Sequence, residues 1–138
     1  MQIDAFNSVD IQENAANVPE EAETRADLQL VGGADNVAVN SLAGTAVSTV
    51  NVDLAGTLGG STGDGQPDAI TLNGTAAPDT INITANSGAV DIAGLIPVLH
   101  ITHPEIANDS LIVNGLGGTD TFNIGPGVTS LITVVTNQ

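Results

Sequence analysis

Along most of this chain, apolar residues come in pairs separated by one polar residue. Ile70 and Leu72 alternate with Ala69, Thr71 and Asn73, and Ile81 and Ile83 alternate with Thr80, Asn82 and Thr84. The same spacing recurs at Leu28/Leu30, Val37/Val39, Val50/Val52, Val90/Ile92, Leu99/Ile101, Leu111/Val113 and Phe122/Ile124, and a last strand is expected near residues 130–135. A period of two sends alternate side chains to opposite faces, so each pair predicts a short, half-buried strand. Glycine-rich punctuation separates the pairs at Gly32-Gly33, Gly59-Gly60, Gly63-Asp64-Gly65, Gly117-Gly118 and Gly125-Pro126-Gly127. Residues 13–26 break the pattern: the cluster Glu13, Glu20, Glu21 and Glu23 reads as a solvated loop or one helical turn opening near Pro19.

The pairs are themselves periodic. Asp27, Asp68 and Asp109 return every 41 residues, each opening a similar phrase. The second and third copies stay in register through Asn73/Asn114, Gly74/Gly115, Asp79/Asp120, Asn82/Asn123 and Ile83/Ile124. In the first copy a three-residue deletion makes Asp35 the second aspartate, and Val9 and Ile11 stand 41 residues before Val50 and Val52. A period in this range marks a repeat architecture. The fold expected is therefore all-β, a right-handed parallel β-solenoid with about two coils per 41-residue repeat. A β-sandwich of hairpins is the alternative. Residues 1–138 read as one repeat domain with copies near 1–40, 41–82 and 83–124 and a partial copy at 125–138. The chain opens in mid-repeat and closes on a strand at 131–136, so it is expected to be a piece of a longer protein and to associate end to end through unpaired strand edges.

Composition narrows the choice of core and partner. The chain has no Trp or Tyr and two Phe, so its core must be thin and aliphatic, as stacked strands allow. Arg25 is the single Lys or Arg against 16 acidic residues, a net charge of −15. Nucleic acid and anionic membrane are thereby excluded as partners, since both require cationic groups against phosphate. The charge suits either a surface that resists edge-to-edge pairing or a protein that binds cations. Without cysteine there is neither a disulfide framework nor a thiolate metal site, and no run approaches the ~20 apolar residues of a membrane-spanning helix. No basic region followed by an apolar run marks a secretory signal.

One turn carries a more specific pattern. Gly115-Leu116-Gly117-Gly118-Thr119-Asp120-Thr121-Phe122-Asn123 matches Gly-Gly-x-Gly-x-Asp-x-U-x, with U a large apolar residue, except for Leu116 in place of the second glycine. It resembles the hemolysin-type (RTX) calcium-binding repeat family. Weaker copies surround Asp35, Asp68 and Asp79. The resemblance implies a β-roll in which loop carbonyls and aspartate carboxylates hold Ca²⁺. The ligands it implies are Asp120 and Asp79, then Asp35, Asp68, Asp109 and Asp64. Two departures stand against this. The family's repeats run in unbroken tandem, whereas here the paired aspartates are 11 apart (Asp68/Asp79, Asp109/Asp120), and much of each repeat has no Gly-Asp turn. The alternative is that each aspartate closes a turn by accepting main-chain amides.

The other polar residues add little chemistry. The recurring Asn73/Asn114 and Asn82/Asn123 are either stacked amide ladders or ordinary solvent-facing strand positions. His100 and His103, three apart on a strand, fall on opposite faces and make a poor joint metal site. No Gly-x-Ser-x-Gly nucleophile turn occurs, and the aromatic and basic residues that sugar-cleaving β-helices use are nearly absent. The expected function is a non-enzymatic structural repeat module of a large bacterial secreted or surface protein, extracellular and stiffened by Ca²⁺. The alternatives are an adhesive module that binds glycan or protein through its flat Thr/Asn face and, behind it, a polysaccharide-active β-helix.

Overall fold

The computed structural model describes residues 2–4, 8–11 and 24–138. Among the described residues there are twelve strands: β1 (Gln2–Asp4), β2 (Ser8–Ile11), β3 (Arg25–Val31), β4 (Asn36–Val39), β5 (Thr49–Asp53), β6 (Ala69–Asn73), β7 (Thr80–Asn86), β8 (Ala89–Ala93), β9 (Val98–Thr102), β10 (Ser110–Asn114), β11 (Thr121–Ile124) and β12 (Thr133–Asn137). A 3₁₀ turn, Val128–Ser130, precedes β12. The strands form a seven-stranded sheet in the order β1-β3-β5-β9-β8-β7-β11 and a five-stranded sheet in the order β12-β10-β6-β4-β2. From β1 to β7, and again from β9 to β12, the chain alternates between the two sheets.

Apolar alternation fixes the register. In the five-stranded sheet every pairing is parallel, and like residues stack in columns: Val37 on Ile70 on Leu111, and Val39 on Leu72 on Val113. In the larger sheet Val50 lies beside Leu99, and Leu28 lies beside Val52, which lies beside Ile101. All these side chains are buried, and the buried faces of both sheets contribute to one aliphatic cluster. A slip of one residue would turn a whole column to solvent, which makes the register costly to lose. Each fully buried Leu or Ile contributes roughly 1.5–3 kcal/mol. The expected inward pairs are buried except on β11, where Phe122 is only partly buried and Ile124 is exposed. β11 is an edge strand with a neighbour on one side only.

The all-β class and the parallel pairing match the expectation, but several details differ. β8 is antiparallel to both β7 and β9. It is reached through Ser87 and Gly88, both at positive φ (51° and 86°), between the paired residues Asn86 and Ala89. That is a two-residue hairpin turn, whose twist suits the flanking strands. The steps between paired strands are also uneven, where about two coils per 41-residue repeat were expected. Arg25 pairs with Thr49 and Ser110 with Thr133, steps of 24 and 23 residues, whereas Ala69 pairs with Ser110 and Thr80 with Thr121, both steps of 41.

The alignment of the first copy shifts as well. Asp27 lies on β3 beside Asn51, and it is Asp35 that occupies the place of Asp68 and Asp109. Val9 and Ile11 pair with Val37 and Val39 in the five-stranded sheet and do not stack with Val50 and Val52. Short Val/Leu strands resemble one another, so a change in loop length is invisible to the pattern. Of the segment expected to be loop or helix, Arg25 and Ala26 belong to β3, and residues 13–23 lie outside the described residues. The final strand begins at Thr133 because the 3₁₀ turn takes up Val128–Ser130.

Leu72→Ala, at the centre of the buried columns, should lower stability by roughly 2–5 kcal/mol. Leu58→Ala, on a side chain 66% exposed, should change it by less than about 0.5 kcal/mol. Urea unfolding of both variants measures the contrast.

Candidate functional site

The turns ahead of the five-stranded sheet bring three of the expected site residues into one column. Each aspartate stands immediately before a strand or one residue ahead of it: Asp35 before β4, Asp68 before β6, Asp109 before β10. The Asp35 N–H donates to Asp68 Oδ1 at 2.9 Å, and the Asp68 N–H donates to Asp109 Oδ1 at 3.1 Å. Asp109 Oδ2 accepts from the Glu105 N–H at 2.7 Å. All three aspartates are buried. Asp68 and Asp109 thus each hold the main-chain amide at the start of the neighbouring strand. A parallel stack leaves such amides at every turn, and buried amides must be satisfied.

A second column repeats the device ahead of β7 and β11. The Asp79 N–H donates to Asp120 Oδ1 at 2.8 Å, and Asp79 Oδ2 accepts from the Thr75 N–H at 2.8 Å. Next in line, Gln138 takes the place of an aspartate: its Oε1 accepts from the Asp120 N–H at 2.9 Å and its Nε2 donates to Asp120 O at 3.0 Å. Asp120 Oδ2 is buried, makes no hydrogen bond and faces Gly115, where any Cβ would collide with it. Asp64 sits beside the first column, accepting from the Gly33 N–H at 2.8 Å and the Gln66 N–H at 2.7 Å.

The six aspartates fall into two columns, Asp35, Asp68 and Asp109 in one and Asp79 and Asp120 in the other, with Asp64 beside the first. The carboxylates of Asp64, Asp68, Asp79, Asp109 and Asp120 accept main-chain amides, and among the described residues no three His, Asp or Glu side chains converge in a way that could hold a metal ion. The Gly-x-Asp turn is real, but its carboxylate serves the neighbouring strand. Glu105 belongs to the same network, accepting from the Gly65 N–H at 2.7 Å, and was missed. A sequence signal for it existed, since Glu105 precedes Asp109 by four residues just as Thr75 precedes Asp79.

The asparagines form ladders. The Asn73 Nδ2 donates to Asn40 Oδ1, the Asn114 Nδ2 to Asn73 Oδ1 and the Asn137 Nδ2 to Asn114 Oδ1, each at 2.8 Å. A shorter ladder joins Asn123 Nδ2 to Asn82 Oδ1 at 2.9 Å. An amide side chain carries both donor and acceptor, so one residue type can continue a column without limit. Asn40 and Asn137 were not anticipated, because each lies off the 41-residue period.

The histidines point to separate partners. His100 Nδ1 pairs with Asp91 Oδ1, and His103 Nδ1 pairs with Asp53 Oδ1 at 2.6 Å. Outward positions of the larger sheet run in a row, Asp27, Asn51, His100 and Asp91. In that row the Asn51 Nδ2 donates to Asp27 Oδ1 at 2.6 Å, and Arg25 forms an exposed ion pair with Asp27. The Asn51 amide, ahead of Arg25, holds the Asp27 carboxyl below its usual range. A shallow pocket of about 310 Å³ is lined by Ser61, Ser87, Gly88, Ala89, Thr102 and His103, with no carboxylate on its walls.

Electrostatics oppose the first column. Burial pushes the Asp68 carboxyl up to about 7, the Asp35 amide pulls it partly back, and the negative charges of Asp109, Asp64 and Asp35 raise it further. Burial likewise raises Asp109, offset by the amides of Glu105 and Asp68. Comparison with protein families, curated proteins and solved structures found no match to this chain.

A raised carboxyl means that the folded chain holds a proton which the unfolded chain releases near pH 3.8. Its contribution to stability is full below that pH and is lost as pH rises through about 7. The chain should therefore be less stable at pH 8 than at pH 5, by roughly 1–3 kcal/mol. Asp68→Asn keeps an oxygen for the Asp35 amide and cannot ionise, so urea unfolding at the two pH values should show at least half of that difference removed.

Proposed function

We propose that this chain is a non-enzymatic structural repeat module, a spacer within a bacterial secreted or surface protein, built as a right-handed parallel β-solenoid with one antiparallel hairpin inserted. The observation that carries the reading is where the polar side chains point. Aspartates that resemble metal ligands accept main-chain amides, and asparagines bond to one another along the stack. Such side chains lengthen and stiffen an array and leave few groups for chemistry. The alternation of the chain between two largely parallel sheets supports the solenoid form, and right-handed crossover of parallel strands is the strong general rule. The charge of −15 supports a surface that repels its own kind and so resists edge-to-edge aggregation in an exposed setting. Calcium has no role in this reading, because Asp64, Asp68, Asp79, Asp109 and Asp120 each already accept at least one main-chain amide.

A second reading, an adhesive face, is favoured by the outward row of Asp27, Asn51, His100 and Asp91. Carboxylate, amide and imidazole groups in a flat row offer sugar hydroxyls both donors and acceptors. Screening against a glycan panel separates the two readings. Binding that is lost in Asn51→Ala supports adhesion, and no binding supports the spacer.

For the spacer, Asn114→Ala removes one ladder donor and one ladder acceptor and should lower stability by about 1–3 kcal/mol. Thermal melts in EDTA and in millimolar Ca²⁺ should coincide. A melting temperature several degrees higher in Ca²⁺ would return the aspartates to a ligand role.

A further inference from the structure

The ladder and the aspartate columns together force a chemically fragile dipeptide into the chain. Asn73-Gly74 and Asn114-Gly115 are its two Asn-Gly sequences, and each half is dictated separately. The asparagine is required as donor and acceptor in the ladder. The glycine is required because a Cβ at position 74 would stand 2.8 Å from both Asp79 Oδ2 and Gly115 O, while at 115 it would run into the Asp120 carboxylate. In Asn-Gly the main-chain nitrogen of the glycine reaches the side-chain carbonyl carbon of the asparagine with least hindrance. A bond forms between that nitrogen and Cγ, the Cγ–Nδ2 bond breaks, and ammonia leaves with the amide proton. Water then opens the resulting succinimide to aspartate or isoaspartate.

In the folded chain both reacting groups are held. The Gly74 N–H donates to Asn114 O, and the Gly115 N–H donates to Asn137 O, each at 2.7 Å. The Asn73 side chain is bonded at both ends, to Asn40 and Asn114, and the Asn114 side chain to Asn73 and Asn137. We infer that Asn73 and Asn114 are conditional deamidation sites, shielded while β6, β10 and β12 are paired and opened when those strands separate. The product cannot resume its place. A carboxylate at position 114 has no N–H for Asn73 Oδ1 and adds charge to a chain already at −15. Isoaspartate also lengthens the main chain by one atom and shifts the register. Unfolding that lasts long enough therefore becomes irreversible, and the two sites record it.

The full chain, incubated at mildly alkaline pH in native buffer and in guanidinium, should be digested and each Asn-Gly peptide followed by mass spectrometry for the loss of ammonia and gain of water. At least a tenfold faster conversion at both sites in guanidinium is expected, and equal rates in the two conditions would overturn the proposal. Asn114→Asp supplies the product directly. A lowered unfolding midpoint, or failure to fold, supports the irreversibility, and a midpoint equal to that of the unaltered chain overturns it.

Discussion

One hydrogen bond, used repeatedly, underlies the whole arrangement: a main-chain amide at the start of a strand donates to an aspartate carboxylate at the start of the neighbouring strand. Asp35 to Asp68, Asp68 to Asp109 and Asp79 to Asp120 are three instances. Parallel strands are joined by turns that leave amides without strand partners, and a buried orphan amide costs about 1–3 kcal/mol. Aspartate is short enough to answer the neighbouring strand and to accept one of its own preceding amides as well, as Asp109 does for Glu105. The same residue therefore closes its turn and ties that turn to the next.

This solution carries an opposing cost. Stacking carboxylates in one buried column disfavours ionisation, and burial raises the carboxyls of both Asp68 and Asp109. The asparagine ladder avoids the cost because its amide groups are neutral, and it continues through four residues. Where the two devices meet, they leave no choice of neighbour, since glycine must follow the ladder asparagine to clear Asp79 or Asp120. The core places few demands of its own. Its columns of Val, Leu and Ile are interchangeable aliphatics with no aromatic at the centre, so specificity falls to the polar columns.

Much of the architecture was legible in the sequence. The inward pairs from Leu28 to Val113 follow directly from alternation, and the offset of 41 between β6 and β10, and between β7 and β11, is the same in sequence and in space. What was not legible was phase. Asp27 opens a phrase much like that of Asp68, yet Asp35 holds the equivalent place, because loop length decides which strand stacks on which and leaves no mark in a two-residue period. The β7–β8 hairpin had a signal, Ser87-Gly88 between two alternating runs, but the repeat pattern drew Val90 and Ile92 into a parallel scheme. At the aspartates the motif marked the turns, and it left open whether each carboxylate binds a cation or accepts main-chain amides. The residue types do not distinguish a carboxylate that accepts amides from one that binds a cation, and only the position of the neighbouring strand does.

The stack depends on aspartate carboxylates holding the amides of neighbouring strands. Native-state hydrogen exchange, followed residue by residue in the unaltered chain and in Asp109→Ala, measures this directly. The Asp68 amide should be protected in the unaltered chain and should lose that protection selectively in the variant, while the Asp35 amide, held by Asp68, stays protected. Equal protection of the Asp68 amide in both chains would contradict the account.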